Sequence, residues 1–433
     1  MMLSIGPGIV VAGSVMGSGE LINTPLQAAK FGFVLLWAVV LSCAIKYFLQ
    51  VEIGRHCIVH GRTTVAALNQ CPGPKWRGTS WIALIYLAGY TITLASLIGI
   101  VGAVGGVLHA AAPLTEDATT SARTWGILMI ALTQLLLWRG IYNHMEKLVA
   151  MLVAGFSLSV VAGIAFLQGT PYAISWEQFT SGWTFSLGND ARAGAYAVVS
   201  LIGALGTKAN ELFMYPYWIL EKGYGAHVGA KETHGWTERA RGWVRVLQVD
   251  AGAATLLATV CTVAYFLLGA AILSSMPEKP EGLGVVDHMS QMLTETYGPW
   301  SRSIFLIGAF CTLFSTLVVA TAATGRMWSD LLASLGVFDR GNSYATSRCH
   351  RVVQSVYLVG IGIAFLLLPA QPQTLVVFGQ FFAGAFNTPL LMFAICYVAF
   401  RTDAAARMSR PTAALLVLSV AVMLACLVGA LFS

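Results

Sequence analysis

Apolar residues run in stretches near or above the ~20 needed to cross a bilayer, with polar segments between them, along the whole chain. The pattern predicts eleven membrane-spanning helices, at about residues 3–30, 33–57, 80–110, 124–140, 147–167, 193–221, 245–275, 300–325, 350–369, 373–400 and 412–432. The longer polar loops fall at 168–190, 222–244 and 276–299, and the last is acidic through Glu278, Glu281, Asp287 and Glu295. No stretch is long and polar enough for a separate soluble domain, and none is of low complexity.

Two predicted spans are interrupted. The first contains "GELINTP" at 19–25 and the sixth "NELFMYP" at 210–216, both x-Glu-Leu-x-x-x-Pro and both preceded by glycines. Their placement predicts an all-α polytopic membrane protein with a five-plus-five inverted repeat. The first repeat covers 1–167, an outer loop 168–192, the second repeat 193–400 and an added eleventh helix 401–433. Gly- or Pro-broken spans at matching places in two halves point to a transporter's central site. Backbone freed at membrane depth is tolerated only where it is buried or lines a cavity. Each residue also has a plainer reading. Glu20 and Glu211 could cap the half-helices that follow them, where the positive helix end favours a carboxylate. Gly17, Gly19, Gly203 and Gly206 could serve close helix packing. Lys208 could bridge to Glu20 or Glu211, or touch a solute directly, since an intramembrane charge needs a partner. Lys46 and Glu52, six apart in the second span, are expected to snorkel or pair near its cytoplasmic end. Asp250 could belong to an inner gate, but is rather expected to face the surface and pair with a basic loop residue.

Composition sharpens this picture. The 433 residues are 57% hydrophobic and 10% charged, with mean hydropathy +0.73, against roughly 25% charged in soluble chains. The net charge of +6 reflects topology rather than a nucleic-acid partner. With the N-terminus cytoplasmic and the C-terminus outside, eighteen Lys and Arg fall in cytoplasmic segments and five in outer ones, as the positive-inside rule requires of a multi-pass inner-membrane protein. The opening "MMLSIGPGIV" lacks the basic region and cleavage site of a signal peptide. Eight scattered cysteines without a CxxC pair suggest neither a disulfide framework nor a thiolate metal site, and the histidines are too dispersed to propose one. No nucleophile–base set, P-loop or dinucleotide fingerprint is present, so neither an enzyme nor a cofactor is expected. The expected partners are the lipid bilayer and a small solute or ion.

The stretch "GPGIVVAGSVMGSGELINTPLQAAKFGFVLLW", followed by "LQVEIGRHCIVHGRT", resembles the first two helices of the Nramp family. Weaker similarity continues through "ASLIG" at 95–99, the sixth span, "LIGAFCTLFSTLVVATAATG" and the tenth span around Gln380. The resemblance implies a LeuT-like fold and proton-coupled import of manganese and iron. It also implies a metal site made by Asp-Pro-Gly-Asn in the first helix and Met-Pro-His in the sixth. Here the corresponding residues are Gly17-Ser18-Gly19-Glu20 and, anchored on Asn210, Thr207-Lys208-Ala209. The family's acidic Asp-Leu-Ala-Glu pattern in the third helix reads Thr93-Leu94-Ala95-Ser96, and its second helix-six histidine falls near Met214. The carbonyl of Ala204 and the side chain of Gln380 remain in place.

The expectation is an Nramp-related secondary transporter whose transition-metal site is degenerate, one that does not import manganese or iron. Its substrate site comprises Gly17, Ser18, Gly19, Glu20, Ala204, Thr207, Lys208, Ala209, Asn210, Glu211 and Gln380, with no metal expected. Its cargo would be an anion or small polar solute paired with Lys208, or a hard cation such as magnesium. One alternative is a divalent-cation transporter (Mg2+ or Mn2+) using Glu20, Glu211 and Asn210. A further alternative is a non-transporting relative locked by a Lys–Glu pair and acting as a sensor or scaffold.

Overall fold

The computed structural model describes residues 17–139, 142–276, 285–339, 341, 343–368 and 371–432. Most of the first predicted span, including Gly6-Pro7, lies outside them. In chain order the helices are α1 Thr24–Phe31, α2 Leu36–His60, α3 Thr64–Leu68, α4 Trp81–Ile92, α5 Leu94–Ala111, α6 Ala118–Arg139, α7 Tyr142–Leu167, α8 Trp176–Ser181 and α9 Ala191–Ala204. They continue as α10 Ala209–Glu221, α11 Tyr224–Val228, α12 Trp236–Ile272, α13 Val285–Tyr297, α14 Ser301–Ser334, α15 Ser343–Leu367, α16 Pro372–Phe382, α17 Thr388–Phe400 and α18 Arg410–Phe432. A two-residue hairpin, Lys75–Trp76 with Thr79–Ser80, is the one sheet among the described residues.

Seven spans among the described residues are individually long and apolar enough to cross a bilayer. The expected number, eleven, is not established by this test. The sixth predicted span, for example, is two half-helices, α9 and α10, each too short alone. Several expected boundaries move. The third span divides at Thr93 into α4 and α5. The loop expected at 222–244 instead holds α11 and the start of α12, a helix of 37 residues. At ~1.5 Å per residue it is about 55 Å long, well beyond the ~30 Å hydrocarbon core. Its first turns, with Glu238, Arg239, Arg241 and Arg245, therefore extend out of the bilayer. The eighth span likewise runs on to Ser334. The acidic stretch expected as a loop at 276–299 contains α13, which buries Met289, Met292 and Leu293. The loop at 168–190 contains α8, closed by a Ser175/Gln178 capping box.

Two apolar clusters make most of the core: one gathers side chains of α2, α4, α9, α10 and α17, the other those of α5, α12, α13 and α14, while α15 and α18 are mostly unburied. Val352, Val356, Val359, Ile363 and Leu366 of α15 are exposed, a lipid-facing stripe in a protein of this composition. Where α9 crosses the tenth span, backbone meets backbone. A Cβ on Gly203 would stand 1.8 Å from the carbonyl oxygen of Gln380, and one on Gly384 would stand 2.1 Å from that of Val199. The packing role considered for Gly203 is the one it fills.

The tenth span is itself interrupted, by a π turn at Ala383–Asn387, and a π turn at Gly19–Asn23 precedes α1. Both end in Asn-Thr-Pro, at 23–25 and 387–389. A proline has no N–H, and its ring crowds the carbonyl four residues earlier, so the regular ladder cannot continue through it. In each turn the threonine seals the wider loop: Thr24 Oγ1 donates to Gly19 O at 3.0 Å, and Thr388 Oγ1 to Ala383 O at 2.9 Å. π turns of this kind commonly mark functional positions in a helix.

Candidate functional site

At the second interruption the backbone leaves the helix altogether. Leu205 is extended (φ −103°, ψ 157°), Gly206 is left-handed at φ +62°, and Lys208 is extended (φ −61°, ψ 163°) before α10 begins. Glu211 Oε2 accepts from Lys208 N at 2.9 Å, and at the first interruption Glu20 Oε2 accepts from Gly17 N at 2.8 Å. The two glutamates thus do the same local job, each holding the amide three residues earlier at a half-helix N-terminus, where a carboxylate is favoured. Capping leaves their second oxygens available. Glu211 Oε1 lies 3.9 Å from Lys208 Nζ, the ion pair expected at this place. Glu20 Oε1 is buried with no hydrogen-bond partner among the described residues.

The two interruptions touch. A Cβ on Gly19 would stand 2.5 Å from Ala204 O, and one on Gly17 would stand 2.7 Å from Thr316 Oγ1 and 3.3 Å from Lys208 Nζ. The lysine head therefore occupies the volume that a side chain at position 17 would use. Glycine at 17 and lysine at 208 fit each other.

Beside this contact lies a cavity of about 90 Å3, against the ~10–15 Å3 one water needs. Ser18, Lys208, Ala209, Asn210, Glu211 and Gln380 line it. Of the other expected site residues, Glu20, Gly17, Gly19 and Ala204 form the buried contact behind it. Thr207 turns away, donating to Gln50 Oε1 at 2.6 Å. Gln380 Nε2 donates to Ser18 Oγ at 3.2 Å, and Gln380 Oε1 has no partner among the described residues.

Sequence reasoning missed several lining residues. Asn387 stands on the second π turn, buried, with Oδ1 likewise unpartnered among the described residues. The repeated Asn-Thr-Pro was the signal that would have found it. Thr316 comes from α14. Met214, one turn beyond Asn210 on α10, brings a thioether to the cavity wall, so sulfur is absent from the family's ligand position but not from the cavity. Thr93 and Ser96 also line it, leaving hydroxyls where the family pattern has acids. No group of three His, Cys, Asp or Glu able to hold a metal occurs among the described residues. A wider cavity of about 370 Å3, lined by Gln27, Lys30, Gln371 and Gln373, lies beside α1, α9 and α16.

Three expectations for charged residues need correction. Lys46 neither snorkels nor pairs with Glu52: it is 1% exposed, and its Nζ donates to the carbonyls of Ile202 and Leu205. Glu52 pairs instead with Arg55 at 3.0 Å. Residues three apart share a helix face, while residues six apart do not. Asp250 is buried, not surface-facing.

Broken helices built around a cavity that sets a few polar groups in an apolar wall define a membrane transporter of the LeuT-like class. A family profile described as Natural resistance-associated macrophage protein-like (Nramp) matches residues 8–433, and the chain belongs to that family. A relative named Divalent metal cation transporter MntH, from Acidiphilium cryptum (strain JF-5), is 25% identical over 327 residues, 75% of this chain and 69% of the relative. Among solved structures, a mutant of the Eremococcus coleocola manganese transporter aligns with TM-score 0.69 at 16% identity, covering 98% of this chain and 84% of that one. MhsT in complex with L-phenylalanine aligns with TM-score 0.61 at 13% identity, covering 99% and 98%. At such identities these structures speak for the fold alone. The chain is a multi-pass membrane protein of a divalent-metal transporter family whose members are transporters rather than enzymes.

Proposed function

We propose that the protein is a secondary transporter of a hard divalent cation, Mg2+ or Mn2+, using a site rearranged from the family pattern. The observation that carries this reading is the unmet demand at the cavity. Gln380 and Asn387 line it, and each keeps one buried acceptor, Oε1 and Oδ1, without a partner among the described residues, as does Glu20 through Oε1 behind it. Buried polar atoms are normally satisfied, and orphaned acceptors call for a cation or a donor. Carboxylate and amide oxygens with water suit Mg2+ or Mn2+, and the cavity has room for an ion that keeps several waters. Glu211, Asn210 and Glu20 are the nearest candidates to complete its shell. The Acidiphilium relative's name supports a divalent cargo. Gln373 in the wide cavity and Gln380 in the central one are seven residues apart on α16, about 10 Å along the helix. Two cavities stacked along one helix suit alternating access, one bundle moving against the other. The division into repeats at 1–167 and 193–400, with the N-terminus cytoplasmic, belongs to the same proposal.

Lys208 favours a second reading. An ammonium about 4 Å from a dication costs on the order of 8 kcal/mol at an effective dielectric constant of 20. Lys46 and Lys208 already balance Glu20 and Glu211 in sign. On that basis the transition-metal site is degenerate, manganese and iron are not imported, and the cargo is a small polar solute or the pair is a lock. Cation transport requires Lys208 to swing away as the ion enters.

Uptake of manganese and magnesium into proteoliposomes separates the two, with an authentic Nramp transporter as positive control and empty vesicles as baseline. Saturable uptake that is lost in Glu20→Gln supports the cation reading. Baseline values from well-folded protein support the second.

A further inference from the structure

The unwound segment of the sixth span frees carbonyls at the C-terminal end of α9, where the helix dipole places partial negative charge. Half-helix C-termini and unwound carbonyls of this kind are where transporters seat a coupling cation. Here the place is taken. Lys46 crosses from α2 and its Nζ donates to both Ile202 O and Leu205 O. Its neighbours on the same face of α2 hold the rest of the segment. Ser42 Oγ donates to Leu205 O at 3.3 Å, and Gln50 Oε1 accepts from Thr207 Oγ1 at 2.6 Å. Residues 42, 46 and 50 are spaced by one helical repeat each, so they form a ladder along the unwound chain. Gly206, at the left-handed corner, lies against α2 so closely that a Cβ would stand 3.0 Å from Cys43 Cα. Lys46 is thus a fully enclosed side chain aimed at two main-chain oxygens, which among the described residues receive side-chain donors from α2.

We infer that Lys46 is a built-in cation, occupying by covalent attachment a carbonyl site that would otherwise take a free monovalent cation. It is a positioning residue: by holding Ile202 O and Leu205 O it fixes the unwound segment that presents Lys208, Asn210 and Glu211 to the cavity. The chain then needs no alkali ion at this place, whichever solute the cavity accepts. The ligand chemistry of the site is a small cation with N–H donors or a bare monovalent charge. Removing the lysine head should leave a vacancy for a primary ammonium ion.

The test uses the purified full chain in detergent micelles, with thermal unfolding followed in methylammonium chloride and tetramethylammonium chloride at equal ionic strength. Lys46→Ala should unfold at a lower temperature than wild type. Methylammonium, which rebuilds the missing head group, should recover part of that loss. Tetramethylammonium, which has no N–H, should not, and wild type should not distinguish the two salts. Lys46→Arg should stay nearer wild type than Lys46→Met, which keeps length and apolar volume but loses charge and donors. If Lys46→Ala fails to fold, the Arg and Met pair decides alone. Lys46→Met as stable as wild type, or Lys46→Ala responding equally to both salts, would overturn the inference.

Discussion

The two interruptions share a motif and a capping glutamate, and the structure describes the first from Gly17 onward and the second on both sides of its cap. At the first, Ser18 keeps helical angles (φ −62°, ψ −23°) and the chain widens through one π turn, with Leu21 N still donating to Gly17 O at 3.0 Å. At the second, the backbone is extended at Leu205 and Lys208, and left-handed at Gly206 between them. The π turn reroutes its hydrogen bonds internally, with Thr24 supplying the last. The extended segment cannot, so its carbonyls must be satisfied from another helix, and α2 supplies Ser42 and Lys46. At the second interruption a polar ladder on a neighbouring helix meets the requirement that unwound backbone at membrane depth be satisfied. A threonine five residues on suffices for a π turn.

The comparison breaks most severely where the second interruption crosses the tenth span. Gly203→Ala puts a Cβ 1.8 Å from a backbone oxygen, and neither partner is a flexible side-chain end that can yield. Overpacking of this kind costs roughly 1–3 kcal/mol or more. The expected outcome is loss of monodisperse protein in size-exclusion chromatography. Gly155→Ala on α7, with nothing among the described residues within 4 Å of the added carbon, should elute unchanged.

Smaller effects should come from the caps. Glu211→Ala and Glu20→Ala each remove a carboxylate that holds a half-helix amide, worth ~1 kcal/mol. Both should lower the unfolding temperature in detergent. Glu211→Gln and Glu20→Gln retain an acceptor for those amides and should lose less. Thr24→Val and Thr388→Val leave a buried carbonyl at each π turn without its hydroxyl, at a cost of ~1 kcal/mol each. Similar losses from both would confirm that the turns are equivalent.

The smallest effect lies at the rim. Lys231 and Asp403 pair at 2.6 Å, with the lysine side chain 66% exposed. The Lys231 ammonium and the Ala405 amide hold the Asp403 carboxyl below its usual range, and Asp403 raises Lys231. A depressed acid stabilises the fold above its unfolded pKa, ~3.9, and loses that contribution as pH falls through its lower folded value. A raised base contributes below its unfolded pKa, ~10.4, and loses it as pH rises through the higher folded value. Asp403→Asn should therefore unfold slightly below wild type at pH 7, and the gap should close in acid. High salt should shrink it as well.

Much of this architecture was legible because its signals are local. The repeated Glu-Leu at 20–21 and 211–212 pointed to two interrupted spans, and Lys208 to an ion pair with Glu20 or Glu211, of which the structure shows the second. The family resemblance pointed to Gln380 at the same cavity. What stayed hidden depends on depth and direction. A hydropathy window placed Lys46 near a membrane edge, because it cannot see that carbonyls of a broken helix wait across from it. Asp250 was read as a surface pair or part of an inner gate, and its burial removes the first. Asn387 carried a readable signal, the second Asn-Thr-Pro, but proline after a polar pair also reads as an ordinary helix start. Met214 entered the cavity because α10 resumes after an extended segment whose length no helical periodicity encodes.

The central claim is that the cavity is an oxygen-donor cation site held in check by Lys208. Calorimetric titration of Mg2+ and Mn2+ into purified wild type and Lys208→Met tests it most directly. Wild type should bind a divalent ion, and binding should tighten at least tenfold in Lys208→Met, as the opposing charge is removed. No binding by either protein, both well folded, would contradict it and leave the cavity to a solute other than a metal ion.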